Sequence, residues 1–149
     1  MSVAMTRTER EAFLAEVHVG MIAIERDGRA PLCVPIWYDY EPARGVWVIT
    51  ERSSQKGRAL EAAGRFALCA QVETPPLYRY VSVEGPITEV EPADLEQHRR
   101  PMAHRYFGAA LGDRYLAGDD SVDNLVFTMR PERWRTVDYA KLEAGAAGA

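Results

Sequence analysis

The densest run of chemically useful side chains in the sequence is Thr50-Glu51-Arg52-Ser53-Ser54-Gln55-Lys56-Gly57-Arg58. It joins hydroxyls to Arg52, Lys56 and Arg58 where the pattern changes from strand to helix. Unpaired amides at a helix start, hydroxyls and cations together describe an anion site, and phosphate is the natural guest. The same run also describes a capped, charged surface helix, and spacing alone admits both. Lys56 favours the first reading, because of the 18 basic residues only it and Lys141 are lysine. Against so strong an arginine bias, a lysine is slightly more apt to be present for its chemistry.

Other chemistries lack their residues. No GxGxxG follows a strand and no GxxxxGK[ST] occurs, so neither a dinucleotide fingerprint nor a P-loop is present. Cys33 and Cys69 fall in separate strands without CxxC spacing and are expected to be small core residues. His18, His98 and His104 are scattered; the last two fall on different faces of one helix, which disfavours a zinc pair. Asp119, Asp120 and Asp123 read as a solvated loop. Ser53 and Ser54 have neither a neighbouring histidine nor a nucleophile-elbow context, so triad chemistry has no candidate.

The elements that position the anion-binding run follow from local pattern. Thr8-Glu9-Arg10-Glu11 has capping-box form and opens a short helix through Ala12, Phe13 and Leu14. Val19 to Arg26 reads as a strand, Asp27-Gly28 as a type I′ turn, and Ala30 to Tyr40 as the returning strand. Pro31 and Pro35 within that strand must lie at an edge or bulge, since proline cannot donate to a ladder. Glu41 to Gly45 turns the chain into a strand over Val46 to Thr50. Ser53 or Ser54 caps a helix from Gln55 to about Ala63, stopped by Gly64. Phe66 to Glu73 and Arg79 to Val90 are strands, the latter with Val81, Val83 and Gly85 on one face. Pro92 opens a helical stretch interrupted at Pro101 and reaching Tyr106, with a second piece at Leu111 to Leu116. Strands at Asn124 to Arg130 and Trp134 to Tyr139 close the order. Hairpins rather than alternating strand and helix point to a mainly β (α+β) antiparallel barrel with helices over its ends.

Length and composition bound the rest. At 149 residues the chain makes one domain over 1–149, with about 1–7 and 142–149 expected to fray. A net charge of -4 argues against general nucleic-acid binding. No apolar run approaches the roughly 18 residues that span a bilayer, and Arg7, Glu9 and Arg10 stand where a signal peptide would be apolar. The expectation is a cytoplasmic protein with reduced thiols.

Val34-Pro35-Ile36-Trp37-Tyr38, Thr50-x-Arg52-x-Ser54-x-Lys56, Arg79-Tyr80-Val81-Ser82-Val83-Glu84-Gly85 and Arg130-Pro131-Glu132-Arg133-Trp134 occur in that order. With these marks the chain resembles the pyridoxamine 5′-phosphate oxidase-like split-barrel family, in particular its small actinobacterial branch that uses coenzyme F420, from Phe13 to Lys141. The resemblance implies a homodimer of six-stranded antiparallel split β-barrels with flanking helices, holding a flavin or deazaflavin in each of two interface grooves. Positions matching Pro35, Ile36 and Trp37 then line the ring system, and those matching Thr50, Arg52, Ser53, Ser54 and Lys56 hold the phosphate. Gln71 matches a position near the ring, and Trp134 one at which the partner subunit closes the pocket. Arg58 and Arg79 are the cations available to the acidic tail that F420 carries beyond its phosphate.

In such a site the cofactor carries the reaction and the protein supplies binding and orientation. Tyr38, Tyr78 and Tyr80 are the nearby proton donors, and no catalytic residue is assigned. The chain is shorter than the oxidase that names the family and lacks a clear counterpart of the set gripping the vitamin phosphate, so vitamin oxidation is not expected. The expected function is an F420-dependent reductase of a small organic substrate such as a quinone, enone or tetrapyrrole. An FMN-dependent enzyme and a non-catalytic cofactor carrier are the alternatives.

Overall fold

The computed structural model of the chain describes residues 2–147. Helix α1 (Arg7–Ala15) opens with a capping box, but its cap is Thr6, whose side chain accepts from the Glu9 amide while Glu9 reaches back to Thr6. The T-x-x-E pattern occurs twice in register, at Thr6 and at Thr8. The earlier copy is the one in use, and Phe13 and Leu14 are the residues of the helix that are buried. Residues expected to fray at the start are tied down: the Met5 amide donates to Thr136 Oγ1 at 2.9 Å and the Asp138 amide to the Val3 carbonyl at 2.7 Å. At the other end Ala140–Ala147 forms helix α5, and residues 1, 148 and 149, included in the expected tails, lie outside the described residues.

Eight strands form one antiparallel sheet. They are β1 (Gly20–Ile24), β2 (Leu32–Ile36), β3 (Tyr38–Glu41), β4 (Gly45–Glu51), β5 (Arg65–Val72), β6 (Arg79–Pro92), β7 (Asn124–Met129) and β8 (Arg133–Asp138). Their order is β2-β1-β5-β6-β7-β4-β3, with β8 also on β6. The long β6 serves two neighbourhoods. Before its bulge between Ile87 and Glu89 it pairs with β5 and β8, and after it mainly with β7. The two ends of the strand order, β2 and β3, are separated in sequence by Trp37 alone. A sheet whose outermost strands are joined by one residue has to curl back on itself, and this makes it a split barrel. The strand expected over Ala30 to Tyr40 is therefore two strands with different partners, β2 on β1 and β3 on β4. This break is one reason the count exceeds the six strands expected.

The turn between β1 and β2 also departs from expectation. A type I′ turn needs positive φ at both central residues, and here only Gly28 has it (φ 65°), Asp27 not being left-handed. The connection instead runs from Glu25 to Pro31, closed by two hydrogen bonds from Arg26 to the Ala30 carbonyl. Pro35 lies on the end strand β2.

The barrel interior is filled by Ile22, Val46, Val48, Leu68, Val81, Val83 and Phe127, and closed at one end by Phe13 and Leu14 of α1. A second cluster, Trp47, Met102 and Val126, lies on the opposite face of β4 and β7. That face is covered by a π-helical turn (Leu95–Arg99), α3 (Arg100–Phe107) and α4 (Ala109–Ala117). Four consecutive residues of β4, Gly45 to Val48, are buried because both its faces are covered. Cys33 is exposed and Cys69 half-buried, so the core expected for both holds neither fully. Burial, and then the nearby Cys33 thiol, pushes the Cys69 thiol up.

Tyr106 of α3 fixes the break at Trp37. Its hydroxyl accepts from the Tyr38 amide at 3.1 Å and donates to the His18 carbonyl at 2.6 Å, with the Tyr38 carbonyl also at 3.1 Å. Its ring stacks on Trp37 at 4.9 Å and 9°. Tyr106→Phe leaves the Tyr38 amide without its partner and is expected to lower unfolding free energy by about 1–3 kcal/mol. Urea denaturation of the two proteins measures this; an unchanged midpoint would show that the clamp carries no stability.

Candidate functional site

A cavity of about 540 Å³ opens between the barrel wall and the helices laid over it. That volume lies in the range of small-molecule and cofactor sites. The barrel contributes Pro35, Ile36 and Trp37 from the break between β2 and β3, and Thr50 from the end of β4. Helix α2 (Gln55–Ala63) contributes Lys56, and its cap Ser54 stands beside it. The helical side contributes Arg99, Met102, Tyr115 and Asp119, among others.

The polar end is built by the β4–α2 turn. Ser54 Oγ accepts from the Gly57 amide at 3.0 Å, donates to the Glu51 carbonyl at 2.7 Å and lies 3.0 Å from Thr50 Oγ1. The turn is packed backbone on backbone: a Cβ on Gly57 would come within 2.2 Å of the Glu51 carbonyl oxygen. Helix α2 stops at Gly64 in the left-handed conformation (φ 68°), as expected for a C-terminal glycine. The Ser54 hydroxyl is consumed in holding the turn, so the groups left for an anion are the Lys56 ammonium and the first amides of α2, which have no intrahelical partner. Lys56 makes no ion pair among the described residues and faces the cavity half-buried.

The other end is aromatic. Trp37 stacks on Tyr106 and meets Phe107 edge-on at 5.0 Å and Tyr115 at 5.8 Å. Across the opening Arg99 Nη2 donates to Asp119 Oδ2 at 2.8 Å. Burial works to raise the Asp119 carboxyl, but hydrogen bonds from Ser121 and Arg99 outweigh it and hold the group below its ordinary value.

Six of the residues singled out from sequence thus meet: Pro35, Ile36, Trp37, Thr50, Ser54 and Lys56. The others do not line this cavity. Arg52 is exposed and 3.8 Å from Glu61, and Ser53 is exposed. Arg58 points to the other side of α2, into a neighbouring hollow with Arg26 and Arg29. Gln71 is exposed on β5 opposite Tyr80. The Arg79 guanidinium lies over the Phe13 ring at 5.1 Å. Trp134 is packed between Arg10, 4.4 Å above its ring, and the edge of Tyr40. Among the suggested proton donors, Tyr38 is buried and donates to the Leu14 carbonyl at 2.8 Å, and burial pushes its phenol far above the ordinary value. Tyr78 and Tyr80 are exposed elsewhere, whereas Tyr115 lines the cavity.

Sequence reasoning missed the helical wall: Arg99, Met102, Tyr115 and Asp119 come from a stretch read only as helix and loop. The signal available was the aromatic spacing Tyr106, Phe107 and Tyr115, too ordinary for a helix to mark a site.

The family model described as pyridoxamine 5′-phosphate oxidase matches residues 6–138. The chain belongs to that family. Its fold is shared by a conserved hypothetical protein from Mycobacterium tuberculosis, with TM-score 0.76 and 23% identity over 95% of this chain and 89% of the other. An F420 reductase has TM-score 0.59 and 22% identity over 84% of this chain and 94% of its own. A FAD-binding protein from Mesorhizobium loti has TM-score 0.64 and 17% identity over 91% and 96% of the two chains. Other structures of the same fold are named for binding or storing heme. The sequence matches no curated protein.

Ser54→Ala removes the side chain that caps α2 and braces the turn carrying Lys56. It is expected to cost about 1 kcal/mol of stability. Gly57→Ala, forced against the Glu51 carbonyl, should cost more. Thermal unfolding of both variants checks the order, and the reverse order would mean that the turn yields to the added methyl.

Proposed function

We propose that this cavity holds a phosphorylated tricyclic redox cofactor, coenzyme F420 with FMN as the alternative, and that the protein is a reductase of a small organic acceptor. The observation that carries this reading is the polarity of the cavity. An unpaired cation and a helix start form one end, Lys56 with α2, and the end of β2 with an indole forms the other, Pro35 to Trp37. The donor set fits the group: Lys56 and the first α2 amides would take the phosphate, and Pro35, Ile36 and Trp37 would lie against the ring. Such a cofactor supplies a hydride that it gives to or takes from the substrate. The chain's own residues bind, orient and exclude water, the aromatic wall doing the last. Among the described residues no histidine or cysteine lines the cavity, so its lining offers neither of those axial ligands to a heme iron.

We further propose a homodimer. The outer face of β2-β1-β5 presents Cys33, Pro35, Met21, Ala23, Ala67 and Cys69 in direct register, without a charge among them. Pro35 belongs both to this face and to the cavity, so a second copy seated there would border the site. Gln71, remote from the cavity within one chain, follows Cys69 on this face and would reach a cavity only from that copy, whereas Trp134 packs inward against Tyr40 and is not on it. Light scattering at micromolar concentration is expected to give twice the chain mass, and a monomer would remove the shared site.

Lys56→Ala is expected to weaken FMN or F420 binding by about 1.5–3 kcal/mol, the scale of a hydrogen bond to a charged group, with little change in stability. Equal affinity of the variant would sink the phosphate assignment. Competition between the two cofactors at low and moderate salt decides the cofactor: F420 is expected to bind more tightly, with a preference that falls as salt screens its acidic tail. Tighter FMN binding in both conditions, with rapid aerobic reoxidation, favours the flavin. Tight binding without turnover of a quinone or enone favours a carrier.

A further inference from the structure

Three consecutive neighbourhoods of arginine lie along the helical wall, and they differ in how their donors are used. Arg100 bonds Glu96 through Nε and Nη2 and Asp113 through Nη1. Arg105 donates to the carbonyls of Ala15 and Glu16 and lies 3.2 Å from Asp39. Both are structural ties. Arg99 makes a single bond, Nη2 to Asp119, and its other N–H groups have no protein partner among the described residues. A guanidinium presents five donors in a rigid planar fork suited to two oxygens at once. Asp119 is itself held through Oδ1 by the Ser121 amide at 3.0 Å, so it fixes Arg99 at one corner and leaves the rest of the fork open. Arg99 and Asp119 line the cavity at its helical side, and Met102, Trp37 and Tyr115 line the same cavity.

We propose that Arg99 is a ligand-binding residue that receives a carboxylate carried by a planar, apolar molecule lying against Trp37, Tyr115 and Met102. The assignment makes the acceptor of the reductase an anionic aromatic or conjugated acid, and it rests on the cofactor reading only for the place of that molecule beside a redox group. The site is separate in chemistry from Lys56: one cation stands at a helix start on the barrel side, and the other is an open fork across the opening from the aromatic end.

The test uses the full chain and two probes of one shape, 2-naphthoate and its neutral methyl ester, followed by quenching of tryptophan fluorescence. The wild-type protein is expected to bind the acid about tenfold more tightly than the ester, the size of one charge-assisted contact. Arg99→Gln should abolish that ratio and leave FMN affinity within about twofold, and Arg99→Lys, which keeps the charge and loses the fork, should give an intermediate ratio. Lys56→Ala should do the opposite, weakening FMN while keeping the ratio. The proposal is overturned if the ratio survives Arg99→Gln, if it collapses in Lys56→Ala instead, or if the wild-type protein shows no preference for the acid up to millimolar probe. Circular dichroism melts of the variants establish that they are folded. If neither FMN nor F420 binds while the acid preference persists and depends on Arg99, the cofactor reading fails and the Arg99 assignment stands.

Discussion

Everything in this barrel depends on the chain being able to change partners within one residue. At Trp37 the backbone leaves the β1–β2 hairpin and joins the β3–β4 hairpin, and the amide and carbonyl on the far side of that step would be left without a ladder. Tyr106 supplies the missing partner. Its hydroxyl bonds the Tyr38 backbone and the His18 carbonyl, so three segments distant in sequence converge on one oxygen. Because the same side chain stacks on Trp37, the device that closes the barrel also orients the aromatic wall of the cavity. Fold and site are thus joined by a single phenol, and the polar end is joined to the fold in a similar way by Ser54.

The parts of this arrangement that could be read in the sequence are those set by local chemistry. Ser54 at the start of α2, Gly64 at its end, and the alternation of Val81, Val83 and Gly85 need only neighbours in the chain to express themselves, and they stand where expected. The cluster from Thr50 to Lys56 was legible for the same reason. Arg52, Ser53 and Arg58 were grouped with it by proximity in sequence, but a helix turns 100° per residue and a tight turn points successive side chains apart, so only part of the run can face one cavity.

What the sequence concealed is set at long range. Whether Ala30 to Tyr40 is one strand or two depends on Tyr106, almost 70 positions away. The capping box had two equally good local solutions, at Thr6 and Thr8, and the chain uses the earlier one, in a segment also tied to β8 through Met5 and Thr136. The helical wall was invisible because Arg99 and Asp119 look like any surface pair until the cavity beside them is seen.

The two sides of the cavity differ in how the chain builds them. The barrel side is assembled from β2, Trp37, β4 and the start of α2, elements tied to the ladder or to the β4–α2 turn. The helical side comes from one continuous stretch, Arg99 to Asn124, laid on the outside of β4 and β7. Substitutions in that stretch at Arg99, Tyr115 or Asp119 alter the shape and charge of half the cavity without touching the strands, whereas Met102, Arg105 and Tyr106 also hold the helices to the barrel. A lineage can therefore exchange what the cavity accepts while keeping what it holds, with the cavity-facing positions of one helical module as the variable part and the barrel as the constant one.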